Sequence, residues 1–292
     1  MLAPHADAQR RRTRPPAPPK PDMAISQTRI TPNYAFKGEP AANIRFCDTT
    51  SNVGKKRSRP ILSKMRVLGP GVNVVVAVRV GPQLEPGTKQ RGCGRGRARL
   101  GALNLPLGAY DVMVCAEDRG AGDRRPGNDC QLFRDGFFVV KRTLTGAANG
   151  TGPFLFAGPL AESWQTNGLT WDFKGPVVRK GRFEYTARGS VSYRSVMPST
   201  TGCARQGAQT DFAPTGTLTL DYGTSEYQLV GRTSAGFTYA VVGECDPADG
   251  PANPIWADSG IGTGRALPLP FGTEVIAGRR EEDETVYNWS FS

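Results

Sequence analysis

The chain has 292 residues, including 36 glycines and 24 prolines, and a formal net charge of +11. No run of about 18 apolar residues occurs, so no membrane-spanning helix is predicted. The length suits two domains with cores of their own, and the glycine and proline content without long helical periodicity predicts an all-β fold rich in turns.

The first 20 residues differ in composition from the rest of the chain. Residues 9–21 are rich in arginine and proline, which favours an extended arm that forms no core. The apolar stretch of a signal peptide is missing after Met1, yet Ala6-Asp7-Ala8 fits the small-x-small pattern of a cleavage site. We therefore interpret residues 1–20 as a disordered basic arm and as the end of a signal peptide that has been cut short.

Residues 21–142 alternate short apolar runs with turn residues. The run at 72–80 is dominated by β-branched valine and predicts a buried strand. Residues 108–118 alternate apolar and polar side chains, and residues 131–142 close the block. The spacing of these runs predicts a sandwich of about seven strands.

The second half repeats this β patterning after a change in composition. Residues 143–153 are small, polar and glycine-rich, so we place a flexible linker there. Residues 154–292 are then predicted to form a second β-rich domain, also a β-sandwich. Its four tryptophans are predicted to be core or rim residues, with a sugar-stacking platform as the alternative. In the last strand Trp289 and Phe291 share one face, which predicts half burial.

Six cysteines accompany a single histidine. An even cysteine count without CxxC pairs is typical of a disulfide framework, and a zinc site would need closely spaced Cys and His ligands. Spacing and elimination favour three pairs, although about 15 connectivities are open: Cys115 with Cys130, Cys203 with Cys245, and Cys47 with Cys93. Disulfides persist in oxidising compartments, so the framework predicts an extracellular or cell-surface protein, the alternative being buried free thiols in the cytosol.

Four segments of the first block carry a family pattern in order. Residues 21–27 read PDMAISQ, Asn52-Val53-Gly54 forms an N-x-G turn before a strand at 63–68, residues 108–118 read GAYDVMVCAED, and Asn128-Asp129-Cys130 follows. This series resembles the CARDB domain, a cell-adhesion-related module of bacterial surface and secreted proteins, over about residues 21–142. The resemblance implies an immunoglobulin- or fibronectin-III-like sandwich with a binding or adhesion role.

The chain departs from that family pattern in two places. The loop between the last two cysteines of the block is rich in glutamate and asparagine in the family, whereas here it contains Arg119, Arg124 and Arg125. Cys47 and Cys93 are additions to the pattern. The second block is similar to a glycine-rich β module that accompanies such domains in actinobacterial secreted proteins, and this similarity implies no defined activity.

Calcium binding is the cation chemistry that this loop could offer. Calcium takes about six to eight oxygen ligands, and arginines between the acids oppose its charge. No metal site is therefore predicted from the four acids at this end of the block: Glu117, Asp118, Asp123 and Asp129.

The sequence offers no histidine-based catalytic site, because His5 lies in the N-terminal arm. A glycosidase needs only two carboxylates about 5–10 Å apart. Six acids of the second block could supply such a pair, although exposed turn acids are the plainer interpretation: Asp211, Asp221, Glu226, Glu244, Asp246 and Asp249. Residues 92–101 are glycine-rich but lack the lysine and strand-turn-helix context of a phosphate loop, so we interpret them as a basic loop.

Basic residues form two clusters in the first block. One contains Lys55, Lys56, Arg57, Arg59, Lys64 and Arg66, and the other contains Lys89, Arg91, Arg95, Arg97 and Arg99. If both lie along one sheet edge, they form a positive face on which arginine binds phosphate or carboxylate in a bidentate manner. The alternative is an unspecialised surface that guards a sheet edge.

These observations predict an extracellular, non-enzymatic binding or adhesion module without a cofactor. Its ligand is unknown, with an anionic wall polymer or an acidic glycan as the candidates. Nucleic acid is not expected, because aromatic residues are not interleaved with the charges. The alternative functions are a cell-envelope glycan hydrolase that uses a carboxylate pair and a dedicated anionic-polymer-binding protein.

Overall fold

A computed structural model of the chain describes residues 19–97, 104–118, 128–153, 163–179, 181–198, 203–209, 215–237, 239–243, 255–263, 265–282 and 285–292. Within these ranges the protein is built from strands, with one short 3-10 helix at Ala41–Asn43. The predicted all-β fold class is confirmed. The described part of the chain contains no helix that is long and apolar enough to cross a membrane. The N-terminal arm, including Ala6-Asp7-Ala8, lies outside the described residues.

The first half forms one eight-stranded sheet in the order β1-β3-β6-β5-β4-β7-β8-β2. Its strands are β1 Met23–Thr31, β2 Tyr34–Phe36, β3 Arg45–Asn52, β4 Ile61–Gly69, β5 Val72–Gly81, β6 Lys89–Gly96, β7 Gly108–Asp118 and β8 Cys130–Val140. The predicted strand at 72–80 is therefore β5, and the predicted strand at 108–118 is β7. All neighbouring strands are antiparallel except β2, which pairs with β8 in parallel. Likeness to an immunoglobulin or fibronectin III domain stays a prediction.

The first sheet curls so that its first strand approaches the end of the last antiparallel strand. The Ile25 amide donates to the Asn128 carbonyl at 3.3 Å, and the Asn128 side-chain amide donates to Asp22 Oδ1 at 2.8 Å. The concave side encloses a mainly aliphatic core that includes Met65, Val76 and Val114. One face of the curled sheet is thereby buried.

The second half forms an 11-stranded sheet with the main order β16-β14-β13-β11-β10-β9-β19-β18. Its strands are β9 Thr143–Pro153, β10 Ser163–Arg179, β11 Arg182–Pro198, β12 Cys203–Gln209, β13 Thr215–Asp221, β14 Glu226–Phe237, β15 Tyr239–Gly243, β16 Ile255–Gly262, β17 Leu267–Pro268, β18 Ile276–Glu282 and β19 Thr285–Phe291. Off this path, β12 pairs with β11 and β15, and β17 pairs with β14. The alternation in the last strand is confirmed, because Trp289 and Phe291 are buried while Ser290 is exposed.

The linker predicted at residues 143–153 is wrong. This segment is β9, which lies inside the second sheet and pairs with β10 on one side and β19 on the other. Its small residues have a packing role: a Cβ on Gly146 would collide with the Phe291 ring and lie 2.8 Å from the Ser290 carbonyl. Glycine content alone therefore misled the prediction, since glycine is also required where an aromatic side chain crosses a strand.

The two sheets share an aromatic core. Phe138 on β8 packs edge-on against Phe183 on β11, with ring centroids 5.6 Å apart, and also contacts Tyr222 at 6.3 Å. Tyr34 on β2 packs against Phe183 as well, at 5.8 Å. One apolar cluster thus takes side chains from both sheets, which fixes the halves against each other.

The motif Gly108-x-Tyr110 forms a second contact between the halves. The Tyr110 ring packs edge-on against Phe271, with centroids 5.2 Å apart, and its hydroxyl donates to the Pro106 carbonyl at 2.5 Å. Gly108 has φ +145°, and a Cβ there would lie 2.6 Å from the Phe271 ring. The glycine is therefore needed both for the backbone conformation and for the close approach of the ring.

Candidate basic binding face

The position of strand β6 in the sheet explains why glycines alternate with larger residues in its sequence, KQRGCGRG. Its glycines face the interior, where a Cβ on Gly92 would collide with the guanidinium of Arg79 and a Cβ on Gly94 would lie 2.6 Å from the Val78 carbonyl. Because side chains alternate along a strand, the intervening positions Arg91 and Arg95 face outward and are exposed. The basic loop predicted at residues 92–101 is therefore wrong for residues 92–96, which belong to this strand.

The register between β1, β3 and β6 places the outward residues in rows. Arg45 on β3 lies directly opposite Arg95, and Cys47 lies opposite Cys93. The next two rows pair Thr49 with Arg91 and Ser51 with Lys89. On the other side of β3, Arg29 of β1 lies opposite Cys47. We call the outward positions Arg29, Arg45, Lys89, Arg91 and Arg95 the basic face.

The basic face concentrates one sign of charge. Like charges directly opposite each other destabilise a strand pair, and Arg45 and Arg95 are such a pair. The outward positions of β1, β3 and β6 include no acidic residue to offset them. Arg45 Nη2 instead lies 3.3 Å from Cys93 Sγ. The arrangement leaves these arginines exposed, and an exposed guanidinium group can form two parallel hydrogen bonds with a carboxylate or a phosphate.

A buried ion pair supports the face from beneath. Arg79 of β5 contacts Asp48 of β3, and both side chains are almost fully buried. Asp48 Oδ1 also accepts a hydrogen bond from the Thr50 hydroxyl at 2.8 Å, and Arg79 Nη2 donates to Gln90 Oε1 at 3.3 Å. The network ties β3, β5 and β6 together under the outward arginines. Gly92 is the residue that leaves space for it.

The predicted cluster at Lys55, Lys56, Arg57 and Arg59 lies in the loop between β3 and β4, beyond the Ser51–Lys89 row. Asn52 fixes the start of this loop, since its amide nitrogen donates to the carbonyls of Lys56 at 2.8 Å and Leu84 at 3.0 Å. Its side-chain oxygen accepts from the Gly54 amide at 3.1 Å. The N-x-G motif is therefore a structural turn. Arg57 pairs with Glu85 at 2.9 Å, so its charge is already partnered.

The structure thus separates the two predicted clusters. Arg91 and Arg95 belong to the basic face, Arg97 is exposed just beyond the end of β6, and Arg99 lies outside the described residues. Sequence reasoning missed Arg29 and Arg45, which stand in other segments of the chain. The pairing of Cys47 with Cys93 was the signal for Arg45, because antiparallel strands that align these two cysteines also align residues 45 and 95.

Two of the three expected disulfides are confirmed: Cys47–Cys93 and Cys115–Cys130. Each joins residues that are directly opposite on neighbouring strands. Their sequence separations of 46 and 15 residues correspond to about 4 and about 3 kcal/mol in the chain-entropy model. The third expected pair, Cys203 with Cys245, lies outside the residues whose side chains are described.

The acids considered for cation binding or hydrolysis have other partners, lie at an exposed turn, or fall outside the described residues. Glu117 binds Lys64 at 2.5 Å, and Asp221 accepts hydrogen bonds from the turn amides of Gly223 and Thr224. Glu226 is exposed at the same turn. Asp123, Asp211, Glu244, Asp246 and Asp249 lie outside the described ranges, as does the side chain of Asp118. Among the described residues, no group of three or more potential metal ligands comes together.

The perturbed titratable groups lie at the contacts between and within the sheets, away from the basic face. Burial raises the pKa of Tyr110 to about 12 and raises the pKa values of Tyr185 and Tyr222 still further. A hydrogen bond from Lys37 lowers the pKa of Glu274. Glu274 also pairs with Lys141 at 3.6 Å, so these shifts report structural contacts between the halves.

Comparison with family models, with curated proteins and with solved structures finds no match to this chain.

Proposed function

We propose that this chain is a non-catalytic binding module of a bacterial secreted or surface protein, and that its basic face holds an anionic polymer. The observation that carries the proposal is the Arg45–Arg95 row beside a disulfide, with Arg91 and Lys89 on the same side of the same strand. An extracellular location is supported by the two disulfides, because such bonds persist in oxidising compartments. An adhesion role is supported by the resemblance to the CARDB domain.

The spacing of the charges favours a polymer over a single small anion. Alternate positions of a strand are about 7 Å apart, so the side chains from Lys89 to Arg95 form a track of roughly 20 Å. Arginine binds carboxylate and phosphate with two parallel hydrogen bonds. A chain with repeated carboxylate, phosphate or sulfate groups can therefore occupy several rows at once.

The test compares dextran sulfate with neutral dextran, which shares its sugar backbone but carries no charge. We expect the full chain to bind dextran sulfate only, and four arginine contacts to make binding about 50-fold weaker when salt rises from about 50 to about 200 mM. The double variant R45Q/R95Q should bind at least about tenfold more weakly at low salt. Affinity is measured by fluorescence titration.

The matched control is R179Q/R182Q. Arg179 and Arg182 are also directly opposite each other and exposed, but Arg182 has Asp221 opposite it on β13. This variant loses the same net charge from the second sheet and should bind within about twofold of the unmodified chain. Equal losses in the two double variants would show that net charge, and not the basic face, governs binding. Equal affinity for neutral dextran would overturn the proposal.

A further inference from the structure

The disulfide Cys47–Cys93 lies in the middle of the basic face. Cys93 is exposed and Cys47 is partly exposed. The adjacent row on one side is Arg45 with Arg95, the adjacent row on the other contains Arg91, and Arg29 stands opposite Cys47 on β1. Arg45 Nη2 lies 3.3 Å from Cys93 Sγ. Four arginines therefore occupy strand positions next to an accessible pair of sulfur atoms.

The second disulfide has different surroundings in the same molecule. Cys115 is buried, although Cys130 is exposed. The residue opposite Cys115 on β4 is Lys64, whose ammonium binds Glu117 at 2.5 Å. The residue directly opposite Cys115 on β4 thus has a charge that is already neutralised by an ion pair. Cys115–Cys130 is consequently a built-in reference, because the charge directly opposite Cys115 on β4 is paired.

Positive charge acts on thiol–disulfide exchange in two ways. It stabilises the thiolate that leaves when the bond is broken, and it raises the local concentration of a negatively charged reactant. We propose that Cys47–Cys93 is a thiol–disulfide exchange site that prefers small thiols carrying a negative charge. This inference does not rest on the proposed polymer ligand.

The exchange proceeds in two balanced steps. The incoming thiolate attacks Cys93 Sγ, the exposed sulfur, and forms a mixed disulfide with it. The S–S bond breaks, and its electron pair goes to Cys47 Sγ, which becomes a thiolate opposite Arg29. A second thiolate then attacks the small-molecule sulfur of the mixed disulfide and releases Cys93 as a thiolate. Two thiols are oxidised to one small disulfide, and the protein disulfide is reduced to a dithiol.

The test uses three thiols of similar size and different charge: 2-mercaptoethanesulfonate, 2-mercaptoethanol and cysteamine. The full chain is exposed to each, quenched by alkylation, and analysed by peptide mass spectrometry to obtain the reduction rate of each disulfide. The measured quantity is the rate at Cys47–Cys93 divided by the rate at Cys115–Cys130. This ratio cancels the intrinsic reactivity of each thiol.

We expect the ratio to be at least about tenfold higher with the anionic thiol than with the cationic one. High salt and the R45Q/R95Q variant should both reduce this difference, whereas R179Q/R182Q should preserve it. Equal ratios for the three thiols in the unmodified chain would overturn the proposal, and that comparison needs no variant. Dextran sulfate binding can fail while the ratio still differs, so the two proposals are separable.

Discussion

The two halves of the molecule differ in net charge and in the kinds of side chain that they bury. Residues 1–142 contain 26 lysines and arginines against 11 aspartates and glutamates, a net charge of +15, whereas residues 143–292 contain 11 against 15, a net charge of −4. The described buried polar side chains follow the same division, with Asp48, Thr50, Asn52 and Arg79 in the first half and only Thr219 and Thr263 in the second. The second half relies on buried aromatic rings instead.

This difference indicates that the two halves have different structural roles. A buried ion pair and two disulfides hold the strands of the first half together. Its surface can therefore accept clustered positive charge that would otherwise oppose folding. The second half contributes aromatic side chains to the core that the two sheets share, and its exposed Arg179–Arg182 row has Asp221 opposite Arg182 on β13. Three changes test this division, beginning with the one expected to have the largest effect.

Removing one partner of the buried ion pair should damage the first half most. Arg79→Met leaves the Asp48 carboxylate buried without its cation, and the expected loss is about 3–5 kcal/mol in the free energy of unfolding. Urea denaturation followed by circular dichroism, which reports on both sheets, measures it. The control is Arg134→Gln, which removes an exposed partner of Asp111 and should cost less than about 1 kcal/mol. A loss for Arg79→Met as small as the control's would mean that the pair does not hold the sheet.

A change in the aromatic core should have a smaller effect. Trp289 Nε1 donates to the Tyr227 hydroxyl at 3.2 Å, and the indole is buried. Trp289→Phe keeps a ring but removes this donor and some volume, so we expect a loss of about 1–3 kcal/mol. Calorimetric unfolding provides the measurement. If Trp289→Phe unfolds with the same free energy as the unmodified chain, the second half does not depend on this aromatic packing.

The weakest expected effect concerns the ion pairs between the halves. Because Lys37 lowers the pKa of Glu274 below its ordinary value, the contact contributes stability above that ordinary value and loses it as the pH falls through the lowered pKa. The carboxylate is partly exposed, so the contribution should stay below about 1 kcal/mol. Stability measured by urea titration between about pH 3 and 7 should depend less on pH in Glu274→Gln. An unchanged pH dependence in this variant would exclude the contact as a source of stability.

Much of the first half could be predicted from its sequence, because valine-rich and alternating segments report burial directly. The strand at residues 72–80 and the strand at 108–118 are examples. The glycine-rich segments were misjudged for one reason. In β6 and β9 glycine allows Arg79, Phe46 or Phe291 to cross the strand, and the identity of that crossing side chain is set by tertiary structure. Local composition therefore could not distinguish a packed strand from a loop or linker.

The candidate site was predictable only in part, for a related reason. The basic residues of β6 stand out in the sequence, but the basic face also takes one arginine from β1 and one from β3. Which residues share a face depends on strand order and register, and neither Arg29 nor Arg45 belongs to a local run of charge. If the Cys47–Cys93 pair is taken to align two antiparallel strands, Arg45 is predicted to lie opposite Arg95. The position of Arg29 cannot be predicted in this way, because a bulge between Ser26 and Arg29 shifts the register of β1.

Phe138 has a consequence for any attempt to divide the protein. It belongs to a strand of the first sheet, yet its ring is enclosed by Phe183 and Tyr222 of the second. In a fragment cut between residues 142 and 143, this ring would be exposed to water together with Tyr34 and Val140 as an apolar surface patch. Such a fragment would be prone to self-association, so an experiment on the basic face requires the intact polypeptide.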